Sequence, residues 1–136
     1  MLKLIEEFLN SPTHALAGTS VKEEKYGNKI LKAYIEKKYE IYPIHPAIKE
    51  IEGLTTYKDV TSLPNSVKSL SLVTPPAITE KLVIQAKNKG IKNIWMQPGA
   101  QSQTAVDFCK NNDINVIYGG ECVLVILNKI QLAEEN

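Results

Sequence analysis

Residues 70–97 read LSLVTPPAITEKLVIQAKNKGIKNIWMQ, and their punctuation is that of a strand, a helix and a second strand. Leu70–Thr74 is a short apolar run stopped by Pro75 and Pro76. Proline is at home in the first turn of a helix, where its missing N–H costs nothing. Ile78, Leu82, Val83 and Ala86 then recur at the spacing of one helical face, Gly90 caps that helix, and Asn93–Gln97 is the next strand. Two strands joined by a helical crossover of this length lie parallel, and such crossovers are right-handed almost without exception.

The same alternation continues in both directions. Leu2, Ile5, Phe8 and Leu9 mark an N-terminal helix that Asn10, Ser11 and Pro12 stop. Ala15–Gly18 reads as a buried strand. Ile30, Leu31, Tyr34 and Ile35 mark a helix opening near Gly27, and Tyr39–Ile44 is a second strand closed by Pro43 and Pro46. Leu54–Tyr57 is read as a short strand and Asp59–Leu63 as a turn of helix. Beyond Gln97, Ser102–Asn112 is a helix and Val116–Tyr118 a strand, while the segment from Glu121 fits a strand or a helix equally. Strands alternating with helices of about ten residues predict an α/β domain with a doubly wound, mostly parallel, Rossmann-like sheet and helices on both faces. One domain is expected over 1–136, with an N-terminal helix at 1–12, a core at 13–127 and a tail at 128–136.

Composition narrows the class. The chain has 136 residues, 16 Lys plus Arg against 15 Asp plus Glu, 43% hydrophobic and 23% charged residues. A chain of this size buries roughly two-thirds of its unfolded surface and needs no disulfides for a core. The balanced charge argues against nucleic-acid binding, which shows a basic excess. The longest apolar run, Cys122–Leu127, is far too short to span a bilayer. Glu6 and Glu7 interrupt the N-terminal apolar stretch, so no secretory signal is expected. Two cysteines, Cys109 and Cys122, make no disulfide framework and point to the cytoplasm.

In such sheets ligands lie beyond the carboxyl ends of the strands, at the switch in strand order. Those ends are Gly18-Thr19-Ser20, Pro43-Ile44-His45-Pro46, Thr74-Pro75-Pro76, Gln97-Pro98-Gly99 and Gly119-Gly120. After the first come Lys22, Lys25 and Gly27. The pattern is not G-x-G-x-x-G, so the usual dinucleotide fingerprint is absent. A glycine turn, hydroxyls, a helix N-terminus and ammonium groups are nevertheless the parts of a phosphate site, although an ordinary loop with solvated lysines has the same look. At the second strand end an NAD site places a carboxylate for the ribose 2′-hydroxyl. Here His45 stands instead, with no acid between Glu40 and Glu50. That disfavours NAD and admits NADP or coenzyme A, whose riboses carry a phosphate.

Together, Gly18-Thr19-Ser20, Lys25-Tyr26-Gly27, Tyr42-Pro43-Ile44-His45-Pro46, Val73-Thr74-Pro75-Pro76, Trp95-Met96-Gln97-Pro98-Gly99-Ala100 and Cys122 resemble the CoA-binding domain family. These are small Rossmann-type proteins similar to the N-terminal domain of the succinyl-CoA synthetase alpha subunit. The resemblance runs from about Thr13 to Leu127. It implies that Gly18, Thr19, Ser20 and Lys25 hold phosphates, with Gly27 and Asn28 opening the next helix. Pro43, His45 and Pro46 would border ribose and adenine, and Thr74, Pro75 and Pro76 would pack on the nucleotide. Gln97, Pro98 and Gly99 would line the pantetheine path, with Cys122 near the thiol. Two departures stand out: Val21 replaces an arginine common in the family, and Gly120-Glu121 precede Cys122 where an Asp-Arg pair is usual. Both remove positive charge, which implies either a lower affinity or a phosphate grip shifted onto Lys22 and Lys25.

No catalytic constellation and no metal-ligand spacing emerges. His14 and Cys109 read as structural, and a Cys122–His45 nucleophile pair is the weaker alternative to a Cys122–CoA mixed disulfide. With nine residues after Leu127, the phosphohistidine domain that the resemblance attaches to ligase chemistry is not expected in this chain. The expected function is therefore non-covalent binding of coenzyme A or a short acyl-CoA by a cytoplasmic, non-catalytic protein. The alternatives are an NADP(H)-responsive sensor and a CoA-handling subunit of a larger acyl-CoA enzyme. A homodimer or an unidentified protein partner stays open; nucleic acid and membrane are not expected partners.

Overall fold

A computed structural model describes residues 2–130. Five parallel strands form the main sheet, β1 (Thr13–Ala17), β2 (Glu40–Ile44), β5 (Ser69–Leu72), β6 (Asn93–Met96) and β7 (Asn115–Ile117), in the spatial order β2-β1-β5-β6-β7. The β5–β6 pair predicted from residues 70–97 is in register Leu70↔Ile94 and Leu72↔Met96. The crossover between them is α3 (Pro76–Lys89), with Pro76 in its first turn and Gly90 in the left-handed conformation at its end.

Strand alternation divides the core into two layers. Ala15, Ala17, Leu70, Leu72, Ile94 and Met96 point to the side of α3 and α4 (Gln103–Asn111). Leu16, Trp95 and Ile117 point to the opposite side, where α1 (Leu2–Asn10), α2 (Tyr26–Glu36) and α5 (Val123–Asn128) supply Phe8, Ile30, Leu31, Tyr34, Val123 and Leu127. From β1 the chain crosses by α2 to β2, then returns past β1 to β5 and continues outward by α3. The connections therefore diverge between β1 and β5, and that gap is the switch point where ligands settle in open sheets of this kind.

Three details differ from the sequence reading, and one open choice is resolved. Pro43 does not close β2 but lies within it, paired with Leu16. It is tolerated because β2 is the sheet's edge: the Pro43 carbonyl accepts from Tyr57 N at 2.9 Å on the outer side, so the absent N–H is not owed to β1. The expected strand 54–57 is instead half of a hairpin, β3 (Glu50–Ile51) with β4 (Leu54–Thr55). Glu52 (φ 52°) and Gly53 (φ 78°) form its two-residue turn. Asp59–Leu63 is a turn, held by Ser62 N donating to Asp59 Oδ1 at 2.9 Å, and not helix. The segment after Glu121 is helical, as α5. Of the expected tail 128–136, residues 131–136 lie outside the described residues.

Candidate functional site

The turn after β1 is built from backbone in contact with backbone. Gly18 has φ 91°, and a Cβ there would lie 2.3 Å from the Val73 carbonyl oxygen at the end of β5. A Cβ at Gly27 would lie 1.9 Å from the Gly18 carbonyl oxygen. Two glycines thus let α2 start directly against the switch-point turn. Asn28, fully buried, ties the loop down, its Nδ2 donating to the Ser20 carbonyl at 2.8 Å and to Glu52 Oε2 at 3.0 Å. Lys25 is the N-cap residue of α2, and no side chain caps that helix end. The positive end of the helix dipole therefore lies against the turn, while the Asn28 N–H donates to the Lys25 carbonyl at 3.1 Å.

The hydroxyls predicted to serve phosphates have neighbours of their own. Thr19 Oγ1 donates to the Ile44 carbonyl at 2.7 Å, which binds the end of β1 to the end of β2. Ser20 Oγ accepts from Lys22 N at 3.0 Å. The cations near this turn are all lysines, because the sequence contains no arginine; they act as point charges and not as bidentate forks.

A cavity opens on each side of the turn. The smaller, about 40 Å³, is lined by Tyr26, Ile30, Val73, Gln97, Pro98 and Cys122. The larger, about 290 Å³, has an apolar lining that includes Gly18, Ile44, Pro46, Ile78 and Leu82, together with Thr74, Lys58 and Lys81. The structure so groups Tyr26, Gln97, Pro98 and Cys122 on one side and Gly18, Pro46 and Thr74 on the other. His45 sits beside the larger cavity in a concavity shared with Pro46, Lys49 and Lys58. Its Nδ1 accepts from Ala47 N at 3.0 Å and Ile48 N at 2.9 Å, so the ring braces its own loop and presents Nε2 as the free nitrogen. Pro43, Pro75, Pro76 and Gly99 line neither cavity. Pro75 and Pro76 start α3, and Thr74 Oγ1 pairs with Thr79 Oγ1 at 2.7 Å.

Cys122 precedes α5, and its Sγ accepts from Leu124 N at 3.4 Å. Burial pushes its thiol above the ordinary value, which keeps it protonated near neutrality. Cys122 and His45 line different cavities, so the structure does not bring together the pair weighed as nucleophile and base. Lys58, Lys81 and Glu52 were not singled out in the sequence. Nothing local marks them; the hairpin and the crossovers carry them to the site.

Residues 12–128 match the CoA binding domain family. The chain belongs to that family. The CoA-binding domain is similar to the alpha subunit of ADP-forming acetate–CoA ligase II of Pyrococcus furiosus, with 27% identity over 94 residues, covering 67% of this chain and 20% of that protein. It is also similar to the ADP-forming acetate–CoA ligase of Methanocaldococcus jannaschii, 32% identical over 78 residues, or 57% of this chain and 11% of that one. The domain therefore spans a fifth or less of the length of these relatives. Among solved structures, a conserved hypothetical protein from Pyrococcus furiosus superposes with a TM-score of 0.80 at 36% identity, covering 84% of this chain and 97% of that chain. Among the described residues, no helix is long and apolar enough to cross a membrane.

Proposed function

We propose that this domain binds coenzyme A, or a short acyl-CoA, across the carboxyl end of its sheet. The observation that carries the reading is the pair of cavities on either side of the Gly18 turn, with the uncapped N-terminus of α2 against that turn. The diphosphate would rest on the turn and the α2 N–H groups, with Lys22 and Lys25 supplying charge. The nucleotide would occupy the larger, mostly apolar cavity, and the pantetheine arm would run toward Gln97, Pro98 and Cys122. The family match supports coenzyme A as the ligand; neither it nor the relatives lend support to NADP(H). The domain works in the cytoplasm as a binding module and carries out no reaction by itself. Its small share of the ligases' length favours a second reading, in which it serves as the CoA-handling part of a larger acyl-CoA enzyme assembled with a partner chain.

Native mass spectrometry of the purified protein, with and without reductant, tests the ligand first. A CoA-sized adduct lost on denaturation supports non-covalent binding. An adduct that only reductant releases assigns a mixed disulfide to Cys122, formed when an oxidant takes two electrons from the two thiols. A bare chain that takes up no added CoA overturns the reading. Calorimetry with Lys25→Ala then tests the phosphate assignment, with an expected loss of about 1–2 kcal/mol, the scale of a charge-assisted hydrogen bond; equal binding by variant and parent removes Lys25 from the site. Co-purification of a stable hetero-complex from the native host would favour the second reading.

A further inference from the structure

Gln97 directly follows β6, with only 1% of its surface exposed. Its Oε1 accepts from Val123 N at 2.7 Å, a bond that ties β6 to the start of α5 and fixes which end of the amide faces that helix. Nε2 has no hydrogen-bond partner. A buried donor left unpaired costs free energy, and this one belongs to a residue lining the 40 Å³ cavity. The wall around it is otherwise Ile30, Val73, Pro98, Tyr26 and the thiol of Cys122, with no lysine and no carboxylate. The site asks for a small neutral group carrying one hydrogen-bond acceptor. Its volume corresponds to roughly three water-sized positions, which suits a terminal two-carbon acyl group carried at the end of the pantetheine arm.

We propose that Gln97 Nε2 donates to the thioester carbonyl oxygen of a short, uncharged acyl-CoA, making Gln97 the residue by which this domain distinguishes acetyl-CoA from free CoA and from anionic acyl-CoAs. The assignment rests on the coenzyme A reading and adds the acyl class to it. A dicarboxylic acyl group would bring a carboxylate into a cavity without a cation, where desolvation is not repaid.

The test compares acetyl-CoA with S-ethyl-CoA, a thioether of the same length that lacks only the carbonyl oxygen. Calorimetry on the wild type is expected to show acetyl-CoA binding about tenfold tighter, the worth of one hydrogen bond from an otherwise unpaired donor, with succinyl-CoA weaker than either. Gln97→Leu and Gln97→Met both keep an apolar side chain of similar size; neither retains a hydrogen-bond donor. Both are expected to bring the acetyl-to-ethyl ratio close to one. A wild-type ratio near one, a ratio that survives both substitutions, or equal losses for acetyl-CoA and S-ethyl-CoA in the variants would each overturn the assignment of Gln97. That failure differs from failure of the ligand reading, in which the wild type binds none of these compounds, free CoA included.

Discussion

A side chain at position 27 meets the main chain of the β1 turn before it meets anything that can move. The Cβ of Gly27→Ala would lie 1.9 Å from the Gly18 carbonyl oxygen, so α2 must shift away from the switch point. Overpacking of this kind costs about 1–3 kcal/mol, read as a lower urea midpoint, and the displaced helix N-terminus should weaken CoA binding about tenfold or more. Stability and affinity unchanged in this variant would mean that the close approach is not needed. Glycine in that position was legible because only a missing side chain suits such a turn; that His14 is structural was legible too, but the aromatic box around it was not. His14 stands in β1, boxed by Phe8, Tyr34 and Tyr39 with ring centroids at 4.8, 5.3 and 5.0 Å. Nε2 donates to the Ser11 carbonyl at 2.6 Å and Nδ1 has no partner, so a second proton would have no acceptor. Burial accordingly lowers its pKa from 6.5 to about 4. Between those values the unfolded chain binds the extra proton and the folded one does not, so stability falls as pH drops from 6.5 toward 4. The loss amounts to roughly 3 kcal/mol at most. His14→Phe should remove this part of the pH dependence. Urea midpoints of parent and variant at pH 7 and pH 4.5 check it, and parallel pH profiles would show that His14 does not titrate as described.

Between elements, α2 is fixed to the sheet by one polar contact inside an apolar layer. Tyr34, in the last turn of α2 and fully buried, shares a hydrogen bond of 2.8 Å with Ser71 of β5. Burial raises the Tyr34 phenol well above its ordinary value, so the pair stays neutral. Either Tyr34→Phe or Ser71→Ala strands the other hydroxyl and should cost about 1–3 kcal/mol, whereas the double variant removes both and should cost less than the two added together. Strict additivity in urea unfolding would mean that the hydroxyls are not coupled. The periodicity of Ile30, Leu31, Tyr34 and Ile35 made this helix readable, as proline and glycine made α3 readable. The hairpin β3–β4 was half missed because two-residue strands show no period, and its Glu52-Gly53 turn is a weaker signal than Asn-Gly. Pro43 misled for a different reason: proline argues against a central strand, and the edge position of β2 is a property of the strand order, which no local pattern reveals. The candidate site divides in the same way. The strand-end glycines, prolines and amides were visible as motifs, while Lys58, Lys81 and the grouping into two cavities follow from the order β2-β1-β5-β6-β7.

For the molecule as a whole, the two cavities matter because they lie on opposite sides of one turn. A ligand that only filled the larger cavity would touch β1, β2 and α3, and one that only filled the smaller would touch α2, β6 and the start of α5. Coenzyme A lying as proposed joins both sets through the Gly18 turn. Bound at a hundredfold excess over Kd, it would stabilise the fold by about 2.7 kcal/mol, a rise in Tm on the order of 10 °C for a chain of this size. That increase alone would not distinguish one-sided from bridging occupancy, since any tight ligand produces it. Hydrogen exchange does distinguish them. Bridging predicts that saturating CoA slows amide exchange in two separate stretches, from Gly18 to Asn28 around the turn and from Gln97 to Leu124 where β6 and α5 meet. Adenosine 3′,5′-bisphosphate, which lacks the pantetheine arm, should protect only the first and raise Tm by less than half as much. Protection by CoA confined to the first stretch would place the arm in solvent and leave Gln97 and Cys122 outside the site.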